Sequence, residues 1–428
     1  MTHFATIEEM RQYAKRRVPR MFYDYADAGS WTESTYHANE DDLARLRFRQ
    51  RVGIDFSQRN LASQMIGEAV SMPVALAPTG IAGMQHADGE ILAARAAERF
   101  GVPFTLSTMS VCSIEDVAAH TTKPFWFQLY MMRDRTFIAN LIRRARQAGC
   151  SALVLTLDLQ IQGRRHKDLR NGLSTPPKLT LRNLLHLARY PSWCMSMLGT
   201  RRHTFGNIVG HAPGVTNIAS MAEWAQNQFD PTLTWKDIEW VRSQWPGKLI
   251  LKGILDPDDA RIALDCGADA LIVSNHGGRQ LDGAPSTIAM LPRITEAVHG
   301  QMEVHMDGGI RSGQDVLKAL ACGASGVYIG RAFLYALGAM GEAGVTRALE
   351  IIREELDMTM ALCGITDLRG VDQNILLDGG APLLPAREKC TPWPSGTTRT
   401  GPGRRCPEPA GQRLHAGWPM TKIDAIRT

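Results

Sequence analysis

The stretch that decides the fold is Cys266-Gly267-Ala268-Asp269-Ala270-Leu271-Ile272-Val273-Ser274-Asn275, which continues into His276-Gly277-Gly278-Arg279-Gln280-Leu281-Asp282. Its apolar centre, Ala270–Val273, predicts a buried parallel strand. We therefore expect His276 and Arg279 to leave the C-terminal end of a strand on a glycine-rich loop, where α/β proteins place their chemistry. A potential base beside a permanent cation suits a substrate that carries a carboxylate and loses a proton.

The same design occurs at Ala148–Asp158 and at Cys322–Arg331, where a glycine ends a helix-like segment before a turn and an apolar run. Apolar runs of this kind number eight, which closes a parallel β/α barrel. They are Pro73–Pro78, Pro103–Ser107, Phe125–Tyr130, Ala152–Asp158, Lys248–Lys252, Ala270–Asn275, Glu303–Asp307 and Gly326–Gly330. We predict an α/β fold, a (β/α)8 TIM barrel over residues 71–381. A doubly wound sheet is the alternative, but no G-x-G-x-x-G motif follows the first run.

The two ends of the chain differ from the predicted barrel. Residues 1–70 come before the first predicted strand, and Thr6–Arg17 has the pattern of a helix, so we expect an N-terminal helical cap. Residues 382–428 contain eight of the 22 prolines together with many Gly, Ser, Thr and Arg residues, a composition that predicts a disordered tail.

A long insertion, residues 169–235, separates the fourth predicted strand from the fifth. No Asp or Glu occurs between Leu169 and Ala222. Apolar residues follow at helical spacing and then as a cluster: Leu181, Leu184, Leu185 and Ala188, then Tyr190, Trp193, Met195, Met197 and Leu198. A basic amphipathic segment suits the face of an anionic bilayer, and we assign this contact to residues 178–202. A subunit contact or an active-site lid is the alternative.

Composition limits the other functions that the chain could have. The formal net charge of +5 is localised, since residues 385–428 hold eight Lys or Arg and three Asp or Glu. The rest is close to neutral and gives no reason to expect nucleic-acid binding. The eight cysteines form no C-x-x-C pair, so we expect reduced thiols in a cytoplasmic protein. We expect no signal peptide, no membrane-spanning segment and no metal site.

Glycine and arginine follow the last two predicted strands. Asp307–Arg311 ends the seventh strand and Gly330-Arg331 ends the eighth. In a barrel these two loops commonly bind phosphate, because glycine lets backbone N–H groups approach the anion and arginine adds a bidentate contact. Turn glycines beside surface arginines would explain either pair alone, but not easily both.

Charged residues also end the fourth and fifth strands. Lys252 lies inside an apolar run, where it would either stabilise negative charge on a cofactor or form a Schiff base. Asp158 would orient His276 across the barrel mouth, and Arg165 would be a second ligand for a carboxylate. A loop ion pair is the alternative for Asp158.

These residues together resemble the FMN-dependent 2-hydroxy-acid dehydrogenase and oxidase family over about residues 1–375. The motifs that carry the resemblance lie almost all at strand ends. They are Tyr23-Asp24-Tyr25, Ala77-Pro78-Thr79-Gly80, Thr105-Leu106-Ser107-Thr108, Phe127-Gln128-Leu129-Tyr130, Thr156-Leu157-Asp158, Gly163-Arg164-Arg165, Leu251-Lys252-Gly253, Ser274–Asp282, Asp307–Arg311 and Gly330-Arg331.

The resemblance implies FMN as the cofactor and a role for each matching residue. The flavin ring would be held by Pro78, Thr79, Gly80, Ser107, Gln128, Thr156, Lys252 and Ser274. Asp307 would bind the ribityl chain, and the phosphate would be bound by Gly309, Arg311, Gly330 and Arg331. The substrate carboxylate would be bound by Tyr25, Arg165 and Arg279. Tyr130 would contact the substrate hydroxyl, and His276 would be the base, paired with Asp158. Lys252 would then be an electrostatic partner of the reduced flavin and not a Schiff base.

Two departures concern the substrate pocket and the electron acceptor. Met109 stands where plant glycolate oxidases of the family have Trp. Gly80 follows Thr79 where many oxidases have Ala, which looks more like the dehydrogenases that reduce a quinone or cytochrome. The long basic insertion is similar to the membrane-binding segment of bacterial members.

The resemblance therefore implies oxidation of an L-2-hydroxy acid, L-lactate to pyruvate, with electrons passing to a quinone of the respiratory chain. The protein would lie on the inner face of the cytoplasmic membrane, and the family expectation is a homotetramer. The alternatives are mandelate as the substrate, a soluble oxidase that reduces oxygen to hydrogen peroxide, and a flavin-binding protein without turnover.

Overall fold

Each of the eight apolar runs contains a strand, because strands buried on both faces of a parallel sheet are almost entirely apolar. A short hairpin, β1 (Ser63–Met65) and β2 (Glu68–Val70), precedes them. The eight are β3 (Val74–Leu76), β4 (Thr105–Ser107), β5 (Trp126–Tyr130), β6 (Ala152–Thr156), β7 (Lys248–Ile254), β8 (Ala270–Val273), β9 (Glu303–Asp307) and β10 (Gly326–Ile329). They pair in parallel in the order β3-β10-β9-β8-β7-β6-β5-β4. Leu76 N donates to Pro103 O at 2.9 Å, which joins β3 to the β4 end. The predicted (β/α)8 barrel is confirmed.

The structure is a computed structural model that describes residues 4–171, 187–215, 224, 228 and 230–377. The predicted disordered tail, 382–428, lies outside the described residues. So do residues 172–186 of the insertion, which include most of the segment predicted to have helical spacing. Among the described residues, no helix combines the length and the apolarity that crossing a bilayer requires.

Helices precede the barrel, alternate with its strands and end the described chain. Many begin at Ser, Thr or Asp, whose side chain accepts a bond from a backbone N–H of the first turn. Their bounds are α1 (Ile7–Arg17), α2 (Arg20–Asp27), α3 (Ser34–Arg45), α4 (Gly89–Phe100), α5 (Ile114–Ala118), α6 (Arg135–Gln147), α7 (His166–Arg170), α8 (Pro191–Leu198), α9 (Trp235–Gln244), α10 (Pro257–Asp265), α11 (Thr287–Val298), α12 (Gly313–Ala321) and α13 (Arg331–Cys363). The backbone of α13 leaves helical geometry at Met340 and Gly341.

The β1–β2 hairpin closes the N-terminal end of the barrel. Met65 and Ile66 pack with the inward-facing side chains of the strands, including Trp126 at the start of β5. Trp126 Nε1 donates to Glu68 Oε1 at 3.1 Å, and Ile66 N donates to Glu303 Oε2 at 2.8 Å. The opposite end, where the strands finish, is therefore the one at which a ligand can enter.

Residues of α3 and of the turn before it hold the Ser274–Asp282 loop at that opposite end. The carboxylate of Asp282 accepts bonds from Thr32 N, Ser34 Oγ and Thr35 N at 2.8–3.0 Å and from Thr32 Oγ1. The amides of Asn39 and Asn275 exchange two bonds, of 2.9 and 2.8 Å. The loop that the sequence singles out is thus fixed by contacts with residues about 250 positions earlier.

Candidate active site

A cavity of about 470 Å³ opens where the barrel strands end. This volume lies in the range of ligand-binding sites, roughly 300–1,000 Å³. Every barrel strand contributes to its walls at or just after its C-terminal end, through Thr79, Met109, Tyr130, Leu159, Lys252, His276, Asp307 and Gly330. The barrel therefore brings residues from eight separate sequence segments to one place.

His276 and Asp158 form a pair across the mouth of the barrel. His276 Nδ1 lies 2.8 Å from Asp158 Oδ1. Burial alone would raise the pKa of Asp158, but His276 and then Lys252 lower it below its usual value, so the carboxylate stays ionised. The ionised carboxylate of Asp158 can only accept a hydrogen bond, so a neutral His276 carries its proton on Nδ1. The lone pair of Nε2 is then free. The ring can therefore act as a base.

The backbone around His276 is held in an unusual conformation. His276, Gly277 and Gly278 all have positive φ angles, of 57°, 65° and 71°. A non-glycine residue in this region is strained and persists only when its surroundings impose it. Gln280 is one such constraint, which sequence reasoning missed. Its Nε2 donates to the carbonyls of Asp158 and Ile161 at 2.7 and 2.8 Å, so it ties the His276 loop to the Asp158 loop.

Arg279 and Arg331 meet at the C-terminal end of α2. Arg279 donates to the carbonyls of Tyr25 and Ala28 at 2.7 and 2.9 Å. Arg331 donates to the carbonyls of Ala26, Ala28 and Gly277 at 2.9–3.1 Å. The carbonyls of Tyr25, Ala26 and Ala28 lie at the C-terminal end of α2, which carries the negative end of the helix dipole. Within the described residues, no ion pair joins either guanidinium to a carboxylate, so both retain charge for an anion in the cavity.

Arg165 completes a cluster of cations around Tyr25. The guanidinium carbons of Arg165 and Arg279 lie 5.6 and 4.8 Å from the centre of the Tyr25 ring. Arg165 is paired with Asp168 at 2.5 Å, a partner that the sequence did not single out. Burial and the nearby Arg165 lower the pKa of Arg279 to about 10, so Arg279 remains a cation near neutral pH. A ligand carboxylate would relieve the repulsion between the two guanidinium groups.

Tyr130 faces the same space from the end of β5. Its ring centre lies 6.5 Å from that of His276, with the ring planes 24° apart. Burial raises the pKa of Tyr130 well above its usual value, and Tyr25 and Asp158 add to the effect. The phenol therefore stays protonated and can donate a hydrogen bond to a ligand oxygen.

Lys252 is a buried cation with two partners. Its Nζ lies 2.8 Å from Asp307 Oδ2 and donates to Ser274 Oγ at 2.7 Å. Burial alone would lower the pKa of Lys252, but the carboxylates of Asp307 and Asp158 raise it above its usual value. Lys252 is therefore held in its ammonium form. A Schiff-base nucleophile would instead have to be a neutral amine. Asp307 Oδ1 is buried without a hydrogen-bond partner in the described structure.

The predicted cofactor-binding residues divide into two groups. Those that line the cavity are Pro78, Thr79, Gly80, Lys252, Asp307, Gly309, Arg311, Gly330 and Arg331. Those that do not line it are Ser107, Gln128, Thr156 and Ser274. Gln128 accepts from Ser107 Oγ and donates to Thr156 Oγ1, both at 3.0 Å, so these three form a polar layer across β4, β5 and β6. Arg311 is itself paired with Glu40 at 2.8 Å.

Trp193 turns toward the cavity, although its apolar neighbours led us to place it on the membrane-facing side of the insertion. Its Nε1 donates to Met84 O at 2.9 Å, and its ring stacks on Phe22 at 5.3 Å. A partly buried hydrogen bond and a ring contact fix the orientation of this side chain, which the apolar character of its neighbours does not specify. Met195 and Leu198 on the same helix are 67% and 85% exposed.

Residues 14–378 match the family of FMN-dependent dehydrogenases. The chain belongs to this family. The predicted family, the barrel and FMN as the cofactor are therefore confirmed, and the protein is an FMN-dependent dehydrogenase.

Its relatives include proteins named L-lactate dehydrogenase. The one from Chromohalobacter salexigens is 45% identical over 87% of this chain and 95% of its own length. The one from Caulobacter sp. is 46% identical over 86% and 97%. Among solved structures, the monotopic membrane protein (S)-mandelate dehydrogenase has a TM-score of 0.84 at 34% identity, covering 88% of this chain and 99% of that one. Mandelate oxidase has a TM-score of 0.74 at 37% identity, covering 86% and 97%.

The cavity fits FMN. Among the described residues, Arg331 has no carboxylate partner. Its guanidinium group is therefore available to bind a phosphate. Around Gly330, a Cβ atom would find no other atom closer than 3.8 Å, so its backbone is open to a ligand. The unpartnered Asp307 Oδ1 is suited to accept a hydrogen bond from a ribityl hydroxyl.

We expect Asp158→Asn to slow FMN reduction by a 2-hydroxy acid about 100-fold or more. The amide removes the charge that stabilises the imidazolium and no longer enforces the Nδ1–H tautomer. The measurement is stopped-flow bleaching of the flavin under anaerobic conditions. Asp259→Asn, at an exposed position of α10, is the control. FMN content should be unchanged in both, and an unchanged reduction rate in Asp158→Asn would refute the role of the pair.

Proposed function

We propose that this FMN-dependent dehydrogenase oxidises L-lactate to pyruvate in the barrel-mouth cavity. The observation that carries the proposal is the His276–Asp158 pair, 2.8 Å apart, beside guanidinium groups without carboxylate partners among the described residues. Oxidation of a hydroxy acid needs a base that removes a proton and a cation that binds the carboxylate. The relatives named L-lactate dehydrogenase, at 45% and 46% identity, support lactate as the substrate.

The substrate carboxylate would be bound by Arg165 and Arg279. Both line the cavity, and Tyr25 lies between them with its ring against both guanidinium groups. Arginine is suited to this task because its planar fork matches the two carboxylate oxygens. Tyr130, held as a neutral phenol, would donate to the substrate hydroxyl.

His276 would remove a proton from the substrate through Nε2. Its Nδ1–H bond to Asp158 fixes the ring, and the carboxylate stabilises the imidazolium that forms. The proton comes from the hydroxyl if the α-hydrogen leaves as hydride, or from the α-carbon if a carbanion forms. The same histidine serves both routes.

The cofactor site would combine the cavity walls with the polar layer behind them. FMN, when bound, accepts the two electrons that leave the substrate. The residues that would hold its ring are Pro78, Thr79, Gly80, Ser107, Gln128, Thr156, Lys252 and Ser274, with Asp307 on the ribityl chain and Gly309, Arg311, Gly330 and Arg331 on the phosphate. The buried Lys252 ammonium would stabilise negative charge on the ring.

A panel of L-lactate, (S)-mandelate and glycolate tests the substrate assignment. Of the three compounds, we expect L-lactate to reduce the flavin under anaerobic conditions with the highest second-order rate constant. In His276→Gln the rate should fall about 10²–10⁴-fold while FMN stays bound, because the general base is lost. No bleaching of the wild-type flavin by L-lactate would contradict the proposal.

Mandelate is the second candidate, since (S)-mandelate dehydrogenase is the structural neighbour with a TM-score of 0.84. It would be favoured if the panel gave (S)-mandelate the higher rate constant. Met109, which lines the cavity, would then be expected to make room for a phenyl ring.

The electron acceptor would be a quinone of the respiratory chain, reached at an anionic membrane surface on the cytoplasmic side. In the described part of the insertion, Met195 and Leu198 form an exposed apolar patch on α8, and Arg201 beside it is exposed as well. Arg202 is instead paired with Asp88 and Asp116 at 3.0 and 2.8 Å. A likeness to a monotopic membrane protein supports this site. A homotetramer remains the family expectation.

The double variant Met195→Glu/Leu198→Glu should abolish flotation of the protein with anionic vesicles. It replaces the exposed apolar patch with charges that anionic lipids repel. Met358→Glu/Leu362→Glu is the matched control, since these residues of α13 are 64% and 53% exposed. Equal flotation of both double variants would remove α8 from the proposed membrane contact.

A further inference from the structure

One wall of the cavity is apolar and carries none of the charged groups that would bind a carboxylate. We call it the apolar recess, and it is lined by Met21, Phe22, Met84, Leu187 and Trp193. The rings of Phe22 and Trp193 are stacked with their planes 25° apart, and the indole N–H is bonded to Met84 O. These contacts join α2, the loop after β3 and α8, so the fold itself holds the recess in place.

The recess adjoins the catalytic residues through two elements that both regions share. Met21 precedes Tyr25 by four residues on α2, which places the two side chains on the same face about one turn apart. Met84 ends the short 3-10 turn Ala82–Met84, which follows Gly80 in the loop after β3. A molecule in the recess would therefore lie beside the substrate site.

On its other side the recess is bounded by α8. Trp193 faces inward from this helix, while Met195 and Leu198 are exposed on it. The same eight-residue helix thus forms a wall of the cavity and the proposed membrane contact. An apolar molecule that binds at α8 would therefore lie next to one wall of the recess.

We propose that the apolar recess binds the ring of a membrane quinone, the electron acceptor of the reaction. This inference rests on the proposed function. A planar, uncharged ring gains from burial and from stacking on an aromatic wall, whereas a carboxylate would lose its hydration there without a partner. Oxidation of lactate to pyruvate releases two electrons and two protons, and reduction of a quinone to a quinol consumes both. The overall exchange is therefore balanced.

The test separates the oxidation of the flavin from its reduction. Full-length FMN-loaded protein is reduced with dithionite, so that the outcome does not depend on which hydroxy acid is the substrate. Its reoxidation is then followed by stopped flow with a short-chain ubiquinone, and separately with ferricyanide. Anaerobic reduction by L-lactate is measured on the same samples and reports on the proposed function alone.

We expect Trp193→Leu and Phe22→Leu to slow reoxidation by the quinone about tenfold, the effect of losing roughly 1.4 kcal/mol of binding. Reoxidation by ferricyanide, a small anion that needs no apolar site, and reduction by L-lactate should change less than about twofold. Trp240→Leu, a half-buried Trp of α9 that does not line the cavity, is the matched control. FMN content and melting temperature confirm that each variant is folded.

Three results would overturn the proposal. Quinone reoxidation at the wild-type rate in both variants would show that the recess is not used. An equal loss with ferricyanide would indicate general damage to the flavin site. A selective loss with L-lactate, or a gain with (S)-mandelate, at an unchanged quinone rate would assign the recess to the substrate side chain. Failure of L-lactate to reduce the wild-type protein would instead contradict the proposed function.

Discussion

Positive charge buried at the mouth of the barrel is the constraint on which the site depends. Arg279 and Arg331 are anchored to the carbonyls that end α2, and no described carboxylate neutralises them. A buried cation without a counter-ion is costly, so the fold accepts this cost only where a ligand supplies the anion. FMN brings a phosphate and a hydroxy acid brings a carboxylate. The same bonds attach α2 to the barrel, and α2 carries Tyr25 together with Met21 and Phe22 of the apolar recess.

Much of the fold and of the site was predictable from the sequence, because a parallel barrel buries its strands on both faces. Each strand then appears as a short apolar run, and the polar residue that follows it lies at the mouth. Asp158, His276 and Arg331 were found in this way. The apolar recess could be predicted only in part. In α8 the insertion exposes Met195 and Leu198, half-buries Trp193 and buries Met197. Helical spacing does not say which face turns inward.

Sequence reasoning missed the residues that position or neutralise other site residues. Gln280 joins two loops, Asp282 holds the His276 loop against Thr32 and Thr35, and Asp168 neutralises Arg165. Their partners are either far apart in sequence or of a type that is common on any surface. Only the packing of α3 and α7 against the barrel loops reveals them. Gln280 and Asp282 hold the loop in which His276 has a positive φ angle, and the His276 side chain lines the cavity.

In the proposed reaction, Arg165 and Arg279 bind the carboxylate of the substrate. The most direct measurement compares L-lactate with L-lactamide, which has the same hydroxyl and α-hydrogen but no charge, by anaerobic reduction of bound FMN. We predict that the second-order rate constant for L-lactamide is lower by about 10³-fold or more, because the buried guanidinium group of Arg279 is left without an anion. Comparable rate constants for the two compounds would contradict the account.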